Sequence, residues 1–214
     1  MPFGEVKGFN EVLIEGCDES VKVQLETAME IPCDPPEKCL EDTTRLMEEG
    51  TEAFRKEEYE QALKLFIESF RAMHILSNDR KPSIYADTRF IYADARFKTT
   101  LSGGTYDGRR GPFVRMILQV KLFARVIDVY LKLQQWEEAR FWGMRAINYI
   151  RDSIGSDDYI SCFHYAPGEM ALIYLRTAIA CKVLESMGVE EPAEYNEPDS
   201  GELFQVAERY ILKR

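Results

Sequence analysis

The chain has 214 residues, 45% hydrophobic and 30% charged, enough to bury one sizeable core. Its net charge of −10 argues against a nucleic-acid partner, because phosphate binding needs a concentrated basic face. The first 16 residues lack a targeting pattern, and no stretch approaches the ~20 apolar residues of a membrane span. An odd number of cysteines, five, is typical of a reducing compartment. We therefore expect no membrane partner and a cytoplasmic or nuclear location.

An acidic segment opens the chain. Residues 1–42 hold 11 acidic and three basic residues, broken up by glycines and prolines, and predict an irregular region with one short helix near 19–29. The helical domain is predicted over 43–214. Because residues 12–14 are apolar, we expect the segment to lie along that domain, at or beside a groove, where tethering gives it a high effective concentration. A disordered, solubilising tail is the alternative.

A helical hairpin is predicted over residues 43–76. Asp42 or Thr43 would cap its first helix, which runs to about Arg55 before a short turn, and the second helix would run to about Leu76. Small and large apolar residues recur at helical spacing: Leu46, Gly50, Phe54, Tyr59, Ala62 and Phe66. We expect Gly50 to face Ala62, so that the two helices approach closely.

The next elements are a helix over 83–98 and a glycine-rich loop over 99–112. The loop is predicted to be flexible and to expose Arg109 and Arg110, and it lacks the Lys-Ser/Thr of a phosphate-binding loop. A second hairpin follows, from about Phe113 to Ser153, with its own pattern of apolar residues: Phe123, Tyr130, Trp136, Ala139 and Ala146. Trp136 is predicted to be a core residue, and the role of Trp142 is left open.

Two further helices complete the chain. One is predicted over 165–187 and the other over 201–212, where Ser200 would cap the helix. The apolar residues of the last helix lie at core-facing spacing. We expect it to cover the end of the helical stack.

The first hairpin resembles a tetratricopeptide (TPR) repeat, and the second does so less closely. The resemblance implies an all-α fold of about seven helices, with antiparallel hairpins stacked in a right-handed superhelix. Ala62 and Ala139 are 77 residues apart, more than two units of about 34, which predicts one degenerate repeat between them. It also implies a protein-interaction module, not an enzyme, that captures a peptide or partner segment on its concave face without a cofactor or metal.

The resemblance places four candidate peptide-binding residues on the first helix of each hairpin: Met47, Thr51, Lys121 and Arg125. Lys121 and Arg125 match positions of the two-carboxylate clamp that some TPR domains use for acidic chaperone tails, as in a co-chaperone-like adaptor. Met47 and Thr51 stand where that clamp has Lys and Asn, and Met47 indicates a more apolar ligand. The plain alternative for the two cations is a solvated basic helix face.

The sequence leaves two rival functions open. An enzyme, or an accessory domain of one, would use Cys162 and His164, although side chains at i and i+2 diverge on a helix. A structural subunit would instead have its concave surface filled by a partner helix in a stable complex. A zinc site from Cys33, Cys39, Cys162 and His164 is weakly indicated, because zinc modules have tighter paired spacings.

Overall fold

The computed structural model describes residues 35–73, 100–152, 166–189 and 198–212. Over these ranges the fold is all-α, as predicted, and the only extended pairing is a single bridge between Thr100 and Arg110. The helices are α1 Pro36–Arg55, α2 Tyr59–Ala72, α3 Gly111–Lys132, α4 Trp136–Asp152, α5 Pro167–Ser186 and α6 Ser200–Leu212. The predicted elements at 12–14, 19–29 and 83–98 lie outside the described residues. None of the six helices combines the length and apolar character needed to cross a bilayer.

Helix α1 begins at Pro36, not at Thr43 as the sequence pattern predicts. Proline suits the first turn of a helix, where its missing N–H would have no intrahelical partner. Leu40 is fully buried, and the Thr43 hydroxyl donates to the Cys39 carbonyl oxygen at 2.7 Å, one turn back in the same helix. Thr43 is therefore an interior residue rather than a cap, and the last part of the predicted irregular segment is helical.

The turns of the two hairpins share one geometry. Three residues separate α1 from α2 and three separate α3 from α4, and the middle residue is left-handed in each, with φ of 63° at Glu57 and 56° at Gln134. The residue after it donates its N–H to a carbonyl five residues earlier, at 3.0 Å in the first turn and 2.9 Å in the second. This bond pattern ends a helix and reverses the chain. Both predicted hairpins are present, although α2 ends at Ala72 rather than at Leu76.

The helices pack in two sets. The first helices α1, α3 and α5 contact one another in that order, and each also packs against the helix that follows it. In addition, α2 contacts α3, and α4 contacts α5. Both helices of the first hairpin contact α3 directly. The predicted degenerate repeat falls largely on residues 74–99, outside the described residues, and is not tested.

An aromatic cluster joins three of these helices. Phe70 of α2, Phe123 of α3 and Trp142 of α4 have ring centroids 5.0 to 6.1 Å apart. Trp142 is only 4% exposed, whereas Trp136, at the first position of α4, is half-buried and lies outside the core. The core tryptophan is therefore Trp142, and the assignment of Trp136 to the core is wrong. The first turn of α4 lies at the end of the hairpin, where fewer helices surround a side chain.

The glycine-rich loop is anchored on α1. Leu101 is buried, and the N–H groups of Ser102 and Thr105 donate to the carboxylates of Glu37 and Glu41, each at 3.2 Å. The side chains of residues 109 and 110 are exposed, as predicted. The loop between them and Leu101 is held against the first turns of α1 rather than left without contacts.

Helix α6 packs on α5. Leu203 and Ala207 are buried, and the rings of Tyr210 and Tyr174 stack with centroids 5.6 Å apart. Its cap is Asp199, whose carboxylate accepts the N–H of Glu202 at 2.8 Å. Ser200 is the first residue of the helix and is buried, so the prediction that it caps the helix is wrong by one position.

Candidate functional site

One groove brings the four predicted peptide-binding residues together. It encloses about 280 Å³ and is lined by α1, α3 and α5, the first helices of the successive pairs. Its lining residues are Met47, Glu48, Thr51, Arg55, Lys121, Ala124, Arg125, Glu169, Leu172 and Arg176. Six of these ten residues are charged, four of them basic, although the chain as a whole is acidic.

Helical spacing explains why these residues share one surface. Met47, Thr51 and Arg55 follow one another at four-residue intervals, which places them on one face of α1. Lys121 and Arg125 have the same spacing on α3. Each helix therefore presents a single stripe to the groove and keeps its other faces for packing.

The floor of the groove is a largely buried ion pair between α3 and α5. The Arg176 guanidinium donates to the Asp128 carboxylate at 2.8 Å and to the Ala124 carbonyl oxygen at 2.7 Å. The two side chains are only 14% and 18% exposed. Burial lowers the pKa of Arg176 from its ordinary value, the Asp128 carboxylate opposes that change, and the neighbouring charge of Arg125 adds to it. Arg176 thus fixes α5 against α3, and its charge is already compensated.

Lys121 and Arg125 are differently placed. Lys121 is half-buried and Arg125 is exposed, and neither makes an ion pair with any described residue. Arg55, by contrast, is paired with Glu52 of its own helix at 3.4 Å. Of the described cations that line the groove, the two on α3 are therefore those without an ion-pair partner, and their charge and donors are left for a ligand.

Apolar and acidic side chains flank this cationic centre. Met47 of α1 is half-buried, and Leu172 of α5 is 37% exposed. Glu48 and Glu169 line the same groove from the same two helices. The Thr51 hydroxyl donates to the carbonyl oxygen of Met47 at 2.8 Å, so its proton is engaged within α1. The groove combines one cationic centre with apolar surface and a negative charge on each side.

The prediction from sequence missed the contribution of α5. The stripe of α5 that contains Ala171, Tyr174 and Ala178 is buried. The opposite stripe was detectable in principle, because Leu172 and Arg176 lie one turn apart on the face that the buried stripe leaves. Arg55 continues the spacing of Met47 and Thr51 and was detectable in the same way.

The other candidate sites fall almost wholly outside the described part of the chain. Cys33, Cys162 and His164 lie there, and Cys39 is buried in α1. Over the described ranges no cluster of three or more His, Cys, Asp or Glu residues has the arrangement of a metal site. The described residues therefore test neither the predicted zinc site nor the predicted Cys162–His164 pair.

Comparison of the chain with protein-family models, with curated proteins and with solved structures finds no match.

Proposed function

We propose that this protein is a TPR-like array of stacked helical hairpins that binds a peptide or partner segment in the groove of α1, α3 and α5. The observation that carries the proposal is that one groove is lined both by two cations without an ion-pair partner, Lys121 and Arg125, and by the apolar side chains of Met47 and Leu172. A peptide needs both kinds of contact: apolar burial for affinity and charged groups for register and specificity.

The helix contacts support a solenoid. First helices that contact one another in chain order, each beside its own second helix, build a continuous surface, and such surfaces are the binding faces of helical repeat proteins. The right-handed superhelix, the count of about seven helices and a cytoplasmic or nuclear location belong to the same proposal. A co-chaperone-like adaptor is its narrower form, in which the ligand is an acidic chain terminus.

The test is affinity capture from an extract of the native host with two versions of the full chain. Lys121→Glu/Arg125→Glu reverses the charge of the groove, and Lys132→Glu makes the same kind of change at an exposed position of the same helix. Partners bound in the groove should be lost with the double variant and retained with Lys132→Glu. The same set of proteins on both baits would contradict the proposal.

A structural subunit of a stable complex is the second candidate, and the outer face of α6 favours it. Phe204 and Ile211 lie seven residues apart, on one side of the helix, and are 36% and 52% exposed. Apolar side chains in such a row are typical of a surface that another protein covers. Phe204→Ser/Ile211→Ser should leave groove binding unchanged and abolish co-purification of a stable partner if this candidate is correct.

A further inference from the structure

We propose that the groove recognises an internal segment of its partner, one that carries a single acidic side chain with apolar residues on both sides, rather than an acidic chain terminus. This inference rests on the proposed function and names the ligand that the groove accepts.

The number of unpaired cations in the groove determines how many carboxylates of a ligand it can bind. A C-terminal residue with an acidic neighbour presents two carboxylates, and each needs its own cation or donors. Of the four described cations that line the groove, only Lys121 and Arg125 make no ion pair, because Asp128 compensates Arg176 and Glu52 pairs with Arg55. These two cations are one turn apart on the same helix and serve one carboxylate between them.

Among the described residues, the α1 side of the groove offers a second carboxylate only the Arg55 guanidinium, which is already paired with Glu52 of its own helix. Met47 has no polar hydrogen, and the Thr51 hydroxyl already donates within its own helix. Glu48 lies on that side and Glu169 on the other, so a ligand with several acidic residues meets a like charge in both directions. The charges therefore favour one central acidic residue with neutral or basic residues towards its ends.

Apolar side chains, like the acidic ones, lie on both sides of the cations. Met47 of α1 and Leu172 of α5 lie on opposite sides of the cations of α3. A ligand whose acidic side chain meets α3 places its preceding and following residues over these two side chains. Both are partly exposed, so apolar residues of the ligand would remove them from water. A chain end would cover one of them and leave the other exposed.

The test is a selection with two random peptide libraries, one displayed between two folded domains and one displayed at a free C-terminus. The receptor is the full chain. The internal library should yield sequences with one Asp or Glu between apolar residues. For such a peptide, blocking both ends should change the Kd by less than about twofold, and replacing the acid by its amide should weaken binding about tenfold, as loss of a charge-assisted pair implies.

The receptor Lys121→Glu/Arg125→Glu should select Lys or Arg at the same central position, and Lys132→Glu should select the original acidic sequences. Circular dichroism verifies that both variants are folded.

The other outcomes distinguish failure of this inference from failure of the proposed function. Enrichment only from the C-terminal library, or tight binding of a peptide ending in Glu-Glu-Val-Asp that blocking abolishes, would overturn this inference and leave the peptide-binding function intact. Failure of both libraries, or sequences that both groove variants select equally, would overturn the proposed function as well.

Discussion

Each hairpin has one glycine at a close contact, but this glycine lies on the first helix of the first hairpin and on the second helix of the second hairpin. Positions 77 residues apart correspond: Ala62 and Ala139 are both fully buried, and the middle residue of each turn, Glu57 or Gln134, is left-handed. In the first hairpin the glycine lies on α1, where a Cβ on Gly50 would come within 2.7 Å of the Phe66 ring. In the second, isoleucine takes the place of that glycine, and glycine, at position 143, takes the place of the phenylalanine.

The two glycines also face different neighbours. Gly50 contacts the Phe66 ring of its own hairpin, and its three nearest atoms are all from that ring rather than from Ala62, the predicted neighbour. Gly143 faces α5, where a Cβ would come within 2.1 Å of the Thr177 hydroxyl. The first glycine therefore closes a hairpin, and the second allows the next helix of the stack to approach.

The same division applies to the groove. Thr51 and Asp128 occupy corresponding positions, 77 residues apart. Thr51 bonds within α1 and lines the groove, whereas Asp128 binds Arg176 of α5. In the first hairpin this position thus lies on the groove surface, and in the second it attaches α5.

The largest effect is expected for Gly143→Ala. The new methyl group would overlap the buried, β-branched Thr177, which cannot move away easily, and we expect a loss of about 3 kcal/mol in the free energy of unfolding. Chemical denaturation measures it. The double variant Gly143→Ala/Thr177→Ala should recover most of the loss, and no recovery would mean that the glycine does not serve the contact with α5.

Gly50→Ala is the matched change in the first hairpin. Here the added methyl group meets the edge of a ring, and the gain in helix propensity of about 1 kcal/mol offsets part of the strain. We expect a net loss of about 1 kcal/mol in the same assay. A larger loss of stability than that of Gly143→Ala would mean that the contact at Gly50, and not the one at Gly143, tolerates a methyl group less.

The buried alanines test whether the two hairpins correspond. Ala62→Leu and Ala139→Leu each force a larger side chain into a site with no exposed surface, and each should cost about 2 kcal/mol. Thermal unfolding of the two variants should show similar falls in Tm. An unchanged midpoint for either variant would mean that the correspondence of positions is wrong for that hairpin.

Asp128→Asn tests whether the ion pair beneath the groove attaches α5 to α3. It removes the charge that compensates the buried Arg176, and we expect a loss of about 1.5 kcal/mol in the free energy of unfolding. Asp42→Asn, which breaks an exposed pair with Arg45, should change stability by less than about 0.5 kcal/mol. Equal effects of the two changes would show that the pair between α3 and α5 does not attach α5.

A small effect on stability is expected from removing residues 1–34. Cutting as far as residue 41 would delete the first turn of α1, with Leu40 and the carboxylates that hold the glycine-rich loop, so the cut belongs before Pro36. If the acidic segment competes for the groove, its removal should tighten peptide binding severalfold and lower stability by less than about 1 kcal/mol. Calorimetry that detects no change in either quantity would leave the segment without a role in the groove.

Local patterns were sufficient for much of the fold and part of the site. The all-α fold, the turn between α1 and α2, and α3 to α6 follow from apolar spacing and from the positions of Gly, Pro and Asp, which act within a few residues of each other. The placement of Met47, Thr51, Lys121 and Arg125 on one surface follows from their helical spacing together with the resemblance of the hairpins to TPR units.

Other features were decided only by the tertiary structure. The start of α1 at Pro36 depends on the burial of Leu40, and the choice of Trp142 over Trp136 depends on contacts with α2 and α3. The floor of the groove depends on a pair of residues, Asp128 and Arg176, that are 48 positions apart. Helical periodicity identifies which face of a helix is buried, but it does not identify the partner helix. That choice depends on the packing of side chains that are distant in the sequence.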